Sequence, residues 1–326
     1  MSRPKILVVG SCNIDYTFGG DRFPKEGETV MGDTFLTACG GKGANQACQA
    51  VRAGALVDFV GRTGDDADAK RLRSELAGMG IDTSLMITDR ERTTGCALIE
   101  LERRPDGTRN RIMVVPGAQM HFTEEELQVL KTRIGSYDMV ILQLEINDAA
   151  NRLVAEMAHE AGVPVMLNPA PFKQQDPGFL RLLDILSPNE HEAAEMTGIE
   201  ISDMESARRC CEAVLKTGVG KVIITLGSRG AVFYDGSSFI HAPCVKTEVT
   251  DPTAAGDSFV GAFCTAYSAG LDADDSMMFA SHAASITVSS AGAQPSIPEL
   301  EAILESIEHD DPDLKMRAWE ALMQVG

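Results

Sequence analysis

The sequence predicts an α/β fold: a mostly parallel, helix-covered sheet with a small antiparallel sheet beside it. Short runs rich in Val, Ile and Leu alternate with helical patterns along most of the 326 residues, which is the rhythm of repeated βαβ units. Those runs are apolar on both faces, as strands buried beneath helices must be. Two polar, turn-rich stretches, residues 12–40 and 92–116, break the rhythm with partial alternation. Alternation marks strands with one wet face, so these stretches predict an added sheet at the ends of the parallel strands, placed to act as a lid.

In chain order, "KILVVGS" (5–11) is a strand, followed by a helix over 43–53 and a strand "ALVDFVG" at 55–61. "DDADAKRLRSELAGMG" (65–80) repeats Ala69, Leu72, Leu76 and Met79 at helical spacing and stops at Gly80. "RPDGTR" (104–109) reads as a hairpin turn. "TEEELQVLKTRI" (123–134) opens with Thr123 three residues before Glu126, a capping-box pattern, and predicts a helix. "YDMVILQLE" (137–145), "VPVMLNPAP" (163–171), "LLDILSPNE" (182–190) and "GKVIITLGSRG" (220–230) are strands that each lead into a loop. We divide the chain into a main domain over 1–308 and a C-terminal extension over 309–326, charged and then amphipathic.

The chain carries 48 acidic and 29 basic residues, a net charge of −19. Such a surface repels nucleic acid and anionic membrane, though it does not exclude nucleotides held by local backbone. The eight cysteines are scattered without CxxC spacing, which points to reduced core thiols rather than a metal or disulfide framework. "KILVVG" is too short for the apolar core of a secretory leader, and no apolar run approaches the roughly 20 residues of a membrane span. A soluble cytoplasmic protein is expected.

Ligands of open α/β sheets collect beyond the carboxyl ends of the strands, and polar residues follow the strands here. Asn13 and Asp15 alternate on extended chain and share a side; a carboxylate beside an amide can grip sugar hydroxyls, or can make an Asx turn. "GGKGANQA" (40–47) is not a P-loop, because Gly rather than Ser or Thr follows the lysine. It is a glycine turn opening a helix, with Lys42 and Asn45 either binding a polar small molecule or simply solvated. Asn189 and Glu192 are three apart at a helix start, where the carboxylate suits a water-coated Mg²⁺ or an ordinary first-turn cap. "ITLGSRGAVFY" (224–234) is strand, glycine turn, strand, with Thr225 and backbone N–H groups able to line a nucleotide, as in many hairpins.

"TDPTAAGDSF" (250–259) is the sharpest signal. Ala254, Ala255 and Gly256 leave room over a helix N-terminus, whose unpaired N–H groups attract anions. Asp257 follows them as an ionised base. Phosphoryl transfer needs this pair: donors for the charge on the moving group and a base orienting the nucleophile. A plain helix cap explains the acid but not the small residues.

"GGKGANQA" and "DPTAAGDSF" resemble the two signatures of the ribokinase-like carbohydrate kinases, the PfkB group, and "GSCNID", "FPKEGETV", "TGDD", "LNPAP", "PNEHEA", "ITLGSRG" and "GAQPSIP" follow in that family's order over about residues 5–307. The resemblance implies a ribokinase-like three-layer α/β/α domain with a small antiparallel β lid. It also implies ATP-dependent phosphorylation of a sugar, D-ribose at its 5-hydroxyl, with Mg²⁺ and an activating K⁺, in a homodimer joined through the lid. Other sugars or nucleosides, deoxyribose among them, or a non-catalytic sensor of the same fold, remain the alternatives.

By the same resemblance Asp257 is the catalytic base, and Ala254, Ala255 and Gly256 form the anion hole. Asn13, Asp15, Gly41, Lys42, Asn45 and Glu145 bind the sugar. Asn189 and Glu192 serve Mg²⁺ and phosphate, the latter through water. Thr225, Leu226, Gly227, Ser228, Arg229, Gly230 and Ser281 receive the nucleotide. Asp251, Thr253, Thr287, Ser290, Gly292 and Ser296 hold K⁺, largely through carbonyls. Two departures stand out: Pro252 replaces the usual Thr and removes an N–H, and Ser281 stands where His or Asn often approaches adenine.

Overall fold

A computed structural model describes residues 3–104 and 107–323. Its strands are β1 (Lys5–Val9), β2 (Asn13–Gly20), β3 (Thr34–Gly40), β4 (Leu56–Val60), β5 (Arg62–Thr63), β6 (Ile87–Thr88), β7 (Gly95–Arg104), β8 (Gly107–Val115), β9 (Met139–Gln143), β10 (Val165–Asn168), β11 (Ile185–Leu186), β12 (Lys221–Thr225), β13 (Ala231–Tyr234) and β14 (Phe239–Ala242). Its helices are α1 (Lys42–Arg52), α2 (Ala67–Gly78), α3 (Glu124–Leu127), α4 (Asp148–Ala161), α5 (Pro177–Leu180), α6 (Glu190–Thr197), α7 (Met204–Leu215), α8 (Ala255–Ser268), α9 (Ala273–Val288), α10 (Leu300–Asp310) and α11 (Pro312–Met323).

The main sheet has eight strands in the order β14-β13-β12-β11-β10-β9-β1-β4. It is parallel from β4 to β12 and antiparallel over β12, β13 and β14. Side chains alternate between two cores. Ile6 and Val8 of β1 lie in the core under α1, α8 and α9, while Leu7 and Val9 lie in the core under α4 and α7. Such strands have no polar face to show, which explains their unbroken apolar sequence.

The chain runs from β1 outward to β4, then returns to build β9 to β14 on the other side. The order therefore reverses between β1 and β9, and a crevice opens there beyond the strand ends. Over it stands the four-stranded sheet β3-β2-β7-β8, built from the two stretches that break the βαβ rhythm. It is antiparallel at both flanks and parallel at its central β2–β7 pair. The turn expected in "RPDGTR" falls on residues 105–106, outside those described.

Two elements are shorter than the sequence suggests. The helix expected over 123–134 keeps its Thr123–Glu126 capping box but is α-helical only to Leu127, then tightens to a 3₁₀ turn over Gln128–Thr132. Leu127 and Leu130, both buried, are three apart and suit that period. The strand expected over 182–190 is reduced to Ile185–Leu186, because Pro188 has no N–H for the ladder. Its carbonyl still accepts from Thr225 N–H at 3.1 Å. The boundary drawn at residue 308 falls inside α10, and α11 beyond it packs on α8 and α9 through buried Leu314, Ala318 and Leu322. Among the described residues no helix is long and apolar enough to cross a membrane.

Candidate active site

The crevice between β1 and β9 gathers polar groups from elements far apart in sequence. Ser11, just past β1, donates from Oγ to Glu145 Oε2 at 2.5 Å, and Glu145 lies just past β9. Lys42 N–H donates to the same oxygen at 3.1 Å, and Gly43 N–H donates to Ser11 Oγ at 3.2 Å. The first turn of α1 has no acidic residue or side-chain cap of its own, so Glu145 supplies the anion that a helix N-terminus favours. Gly41 has φ of +94°, and a Cβ there would lie 2.8 Å from Cys12 Cα; only glycine lets α1 start this close to β2.

Asn45 and Gln46 reach from the first turns of α1 to Asp257. Asn45 Nδ2 donates to Asp257 Oδ2 and Gln46 Nε2 donates to Asp257 Oδ1, each at 3.0 Å. Asp257 is 6% exposed. The carboxylate beside it raises the affinity of Lys42 for its proton, against burial and with help from Glu145 and Glu192. Lys42, Asp257, Glu145 and Glu192 thus form one charged cluster, contributed by α1, α8, the β9 loop and α6.

The residues expected to form an anion hole lie at the N-terminus of α8. Ala254 adopts φ of +62°, the only positive φ of a non-glycine residue among those described, and is the N-cap of α8 without a side-chain cap. Ala255 N–H turns back to Pro252 O at 3.3 Å. The N–H groups of Gly256 and Asp257 follow in the first turn, where intrahelical acceptors are missing. A Cβ on Gly256 would meet nothing within 4 Å, so the space above it is open. Pro252 is accommodated: Thr253 N–H, not residue 252, closes the loop onto Asp251 Oδ1 at 2.9 Å.

Asn13 and Asp15 share the face of β2 turned to α1, joined by Asn13 Nδ2 donating to Asp15 Oδ1 at 2.6 Å. Burial pushes the Asp15 carboxyl up to about 6, opposed by the Asn13 bond and reinforced by Glu145. Asn189 and Glu192 make a reciprocal capping box on α6, so the ordinary cap is real. Asn189 Oδ1 is committed to two backbone N–H groups, while only Oε2 of Glu192 is used by the cap. Burial raises Glu192, against the Asn189 N–H and Lys42.

Asn189 also bridges to Thr225, which brings the start of α6 beside the loop Thr225–Gly230. In that loop Leu226 is buried, Gly227–Arg229 form a 3₁₀ turn and Gly230 has φ of +86°. Arg229 pairs with Glu190 and bonds Ile201 O, so its charge is already engaged. Ser281 is buried in the middle of α9, which packs against β13 and β14, the strands that leave this loop.

The segments around 251 and 292 meet. Asp251 Oδ2 accepts Gly292 N–H at 2.9 Å, Oδ1 accepts Thr253 Oγ1–H at 2.6 Å, and Thr250 and Asp251 N–H groups both donate to Val288 O. These bonds hold Asp251 lowered in spite of burial. The Thr287 hydroxyl is turned into the core, 2.8 Å from Ser258 Oγ, and Ser296 Oγ–H donates to Ala293 O; at both positions the carbonyl, not the side chain, is the donor a cation would use.

Four residues of the site carry no sequence signal of their own. These are Ser11, Gln46, Gln143 and Asn168, each a polar residue of a common type in its local sequence. Gln46 is one residue past Asn45 in the same motif, and that adjacency was the available clue.

A carboxylate held by two amides, an open helix N-terminus beside it and a half-buried ammonium alongside are the parts a small-molecule phosphotransferase would need. The comparisons agree. Residues 3–300 match the model of the pfkB family carbohydrate kinases, and the chain belongs to that family. It is 38% identical over 309 residues to the ribokinase of Haemophilus influenzae, covering 94% of this chain and 99% of that one. It is 40% identical over 310 residues to the bifunctional ribokinase/ribose-5-phosphate isomerase A of Fructilactobacillus sanfranciscensis, spanning 56% of that longer protein. The structure of Arabidopsis thaliana ribokinase complexed with ribose and ATP superposes with a TM-score of 0.87 at 34% identity, over 94% of this chain and 99% of that one.

Proposed function

We propose that this protein transfers the γ-phosphoryl group of ATP to the 5-hydroxyl of D-ribose, giving D-ribose 5-phosphate and ADP. The observation that carries the reading is Asp257, held at both oxygens beside the open N-terminus of α8. Full-length relatives named ribokinase supply the sugar.

In the reaction Asp257 takes the proton of the sugar hydroxyl as its oxygen bonds to the γ-phosphorus. The bond from that phosphorus to the bridging oxygen breaks and ADP leaves. The N–H groups of Gly256 and Asp257 receive the oxygens of the moving group, and Lys42 balances their charge. Asn13, Asp15 and Asn45 orient the hydroxyls. The sheet β3-β2-β7-β8 covers the sugar and excludes water, the competing acceptor.

Glu192, through water, would hold the Mg²⁺ that accompanies ATP. Its Oε1 lies outside the cap, and the described residues form no group of three acidic, His or Cys ligands, a donor set that fits an ion keeping most of its waters. Mg²⁺ neutralises phosphate charge when bound. For K⁺, the Asp251 carboxylate and the carbonyls of Thr253, Thr287, Ser290, Gly292 and Ser296 offer hard oxygens on two segments already joined by the Asp251–Gly292 bond. An ion there would brace the turn that sets Ala254.

The covering sheet is apolar on both faces. Leu36, Ile112 and Val114 lie on the side of Asp15, while Phe18, Phe35 and Met113 lie on the other, exposed, with the Phe18 and Phe35 rings 5.0 Å apart. One face closes on substrate; a second copy of this chain on the other would make the expected homodimer and remove that surface from water. A cytoplasmic setting fits the need for ATP and the free thiols.

The test is ADP formation by the purified chain with ATP and Mg²⁺, ribose against other sugars and nucleosides, in K⁺ against Na⁺. Ribose-dependent turnover raised by K⁺ is expected. Turnover on another sugar only would discard ribose, and binding without turnover would discard the kinase.

A further inference from the structure

The geometry points to Gln46 as a positioning residue that sets the orientation of Asp257, with Gln143 fixing the direction of the Gln46 amide. This rests on Asp257 being the base. An ionised carboxylate only accepts hydrogen bonds, so the Gln46 side chain must turn its NH₂ toward Asp257 Oδ1, and it does so at 3.0 Å. Its oxygen then faces away, where Gln143 Nε2 donates to it at 2.7 Å. The Gln46 NH₂ is shared with Asn168 Oδ1 at 3.2 Å, and Asn168 donates in turn to Ser187 O at 2.8 Å.

Gln46 and Gln143 are both fully buried, so neither meets substrate and neither can exchange its partners for water. The direction of the relay has a consequence at its far end. Gln143 Oε1 is buried without a partner, and it occupies the space in front of Gly10, where a Cβ would lie 1.9 Å from it. An acceptor is left unpaired so that the donors run toward Asp257. With Oδ1 pinned on the core side, rotation of the carboxylate is blocked and Oδ2, the oxygen shared with Asn45, is left to take the proton. A misplacement of about 1 Å can cost an oriented reaction about 100-fold in rate.

The experiment is steady-state kinetics of the full chain with ATP, Mg²⁺ and the accepted sugar for Gln46→Met, Gln143→Met, the double variant and Asp257→Asn, with thermal unfolding of each. Gln46→Met keeps length and loses the donor; we expect kcat to fall about 10- to 100-fold with both KM values within twofold. Gln143→Met should lower kcat by less, and the double variant should be no worse than Gln46→Met, as members of one relay are not additive. If Gln46→Met fails to fold, Gln143→Met is read on the same kcat-against-KM criterion. Unchanged kcat, or a loss carried by KM, in a folded variant would overturn the positioning role while Asp257→Asn stays inactive. An active Asp257→Asn would instead remove the base, and the relay's purpose with it.

Discussion

Asn45 Nδ2 donates to Asp257 Oδ2 at 3.0 Å across 212 residues of chain, joining the first turns of α1 and α8. One side chain of the motif proposed to hold the sugar thereby touches the proposed base. Removing the base by Asp257→Ala should lower kcat by about 10²- to 10⁴-fold, the range for general-base catalysis, and leave ribose affinity within a few fold. Asn45→Ala should do both, weakening ribose and slowing turnover. Calorimetry for binding and ADP release for rate separate the two, and a fast Asp257→Ala enzyme would rule out the assignment.

Asp15 carries a pH signature. Its carboxyl sits up at about 6, chiefly through burial, and in the proposed sugar site only the ionised form accepts from hydroxyls at both oxygens. The KM for ribose should therefore rise as pH falls from 7 toward 5, with kcat at saturation changed less. The same shift costs stability: the folded state holds its proton over pH 4 to 6 while the unfolded chain has released it, so this group's contribution declines as pH rises through that window. Asp15→Asn should unfold roughly 2–5 °C higher at pH 7 and flatten the pH dependence of the ribose KM. A KM profile identical to that of the unchanged protein would remove Asp15 from sugar binding.

Glu192 has a structural duty as well as the proposed one, and Glu192→Gln separates them. Glutamine keeps an oxygen for the Asn189 N–H, as capping boxes accept Glu or Gln, so unfolding should shift by no more than about 0.5 kcal/mol, as for a surface change. The Mg²⁺ concentration giving half-maximal rate should rise about tenfold. An unchanged magnesium titration would leave Glu192 as a cap alone.

What could be read from the sequence divides along physical lines. The strands were legible because strands buried on both faces must be apolar throughout, and the covering sheet because its two stretches are polar, turn-rich and alternate in part, as in Asn13 to Gly20. Asp257 was legible because small residues before an acid at a helix start have few structural uses. The position of β1 between β4 and β9 was not, since pairing partners are chosen by non-local contacts. Gln46 and Gln143 were hidden for the same cause: their meaning lies in a bond spanning 97 residues, and nothing local separates a relay glutamine from a solvated one. Arg229 shows the reverse case, a cation in a promising loop whose partner, Glu190, is only visible in three dimensions.

The C-terminal segment gives the last prediction. The residues after 308 lie outside the family match, which ends at 300, and their composition suggested an appendage. Yet α11 buries Leu314, Ala318 and Leu322 at 1%, 0% and 3% exposure, spaced by four on one helix face, against the core that also holds Phe263 and Phe279. Arg317 adds a two-pronged pair to Asp275 of α9, at 2.5 and 2.8 Å. That exposed pair is worth little by itself, so the leucines should dominate. Leu314→Ala should cost about 2–5 kcal/mol, seen as a fall in Tm of several degrees, whereas Arg317→Ala should move Tm by a degree or two. Because α11 packs on α8, whose first turn carries Asp257, the folded Leu314→Ala enzyme should keep its kcat at 25 °C and lose activity at a lower temperature than the unchanged protein. An unaltered Tm would show that α11 is dispensable to the core it covers.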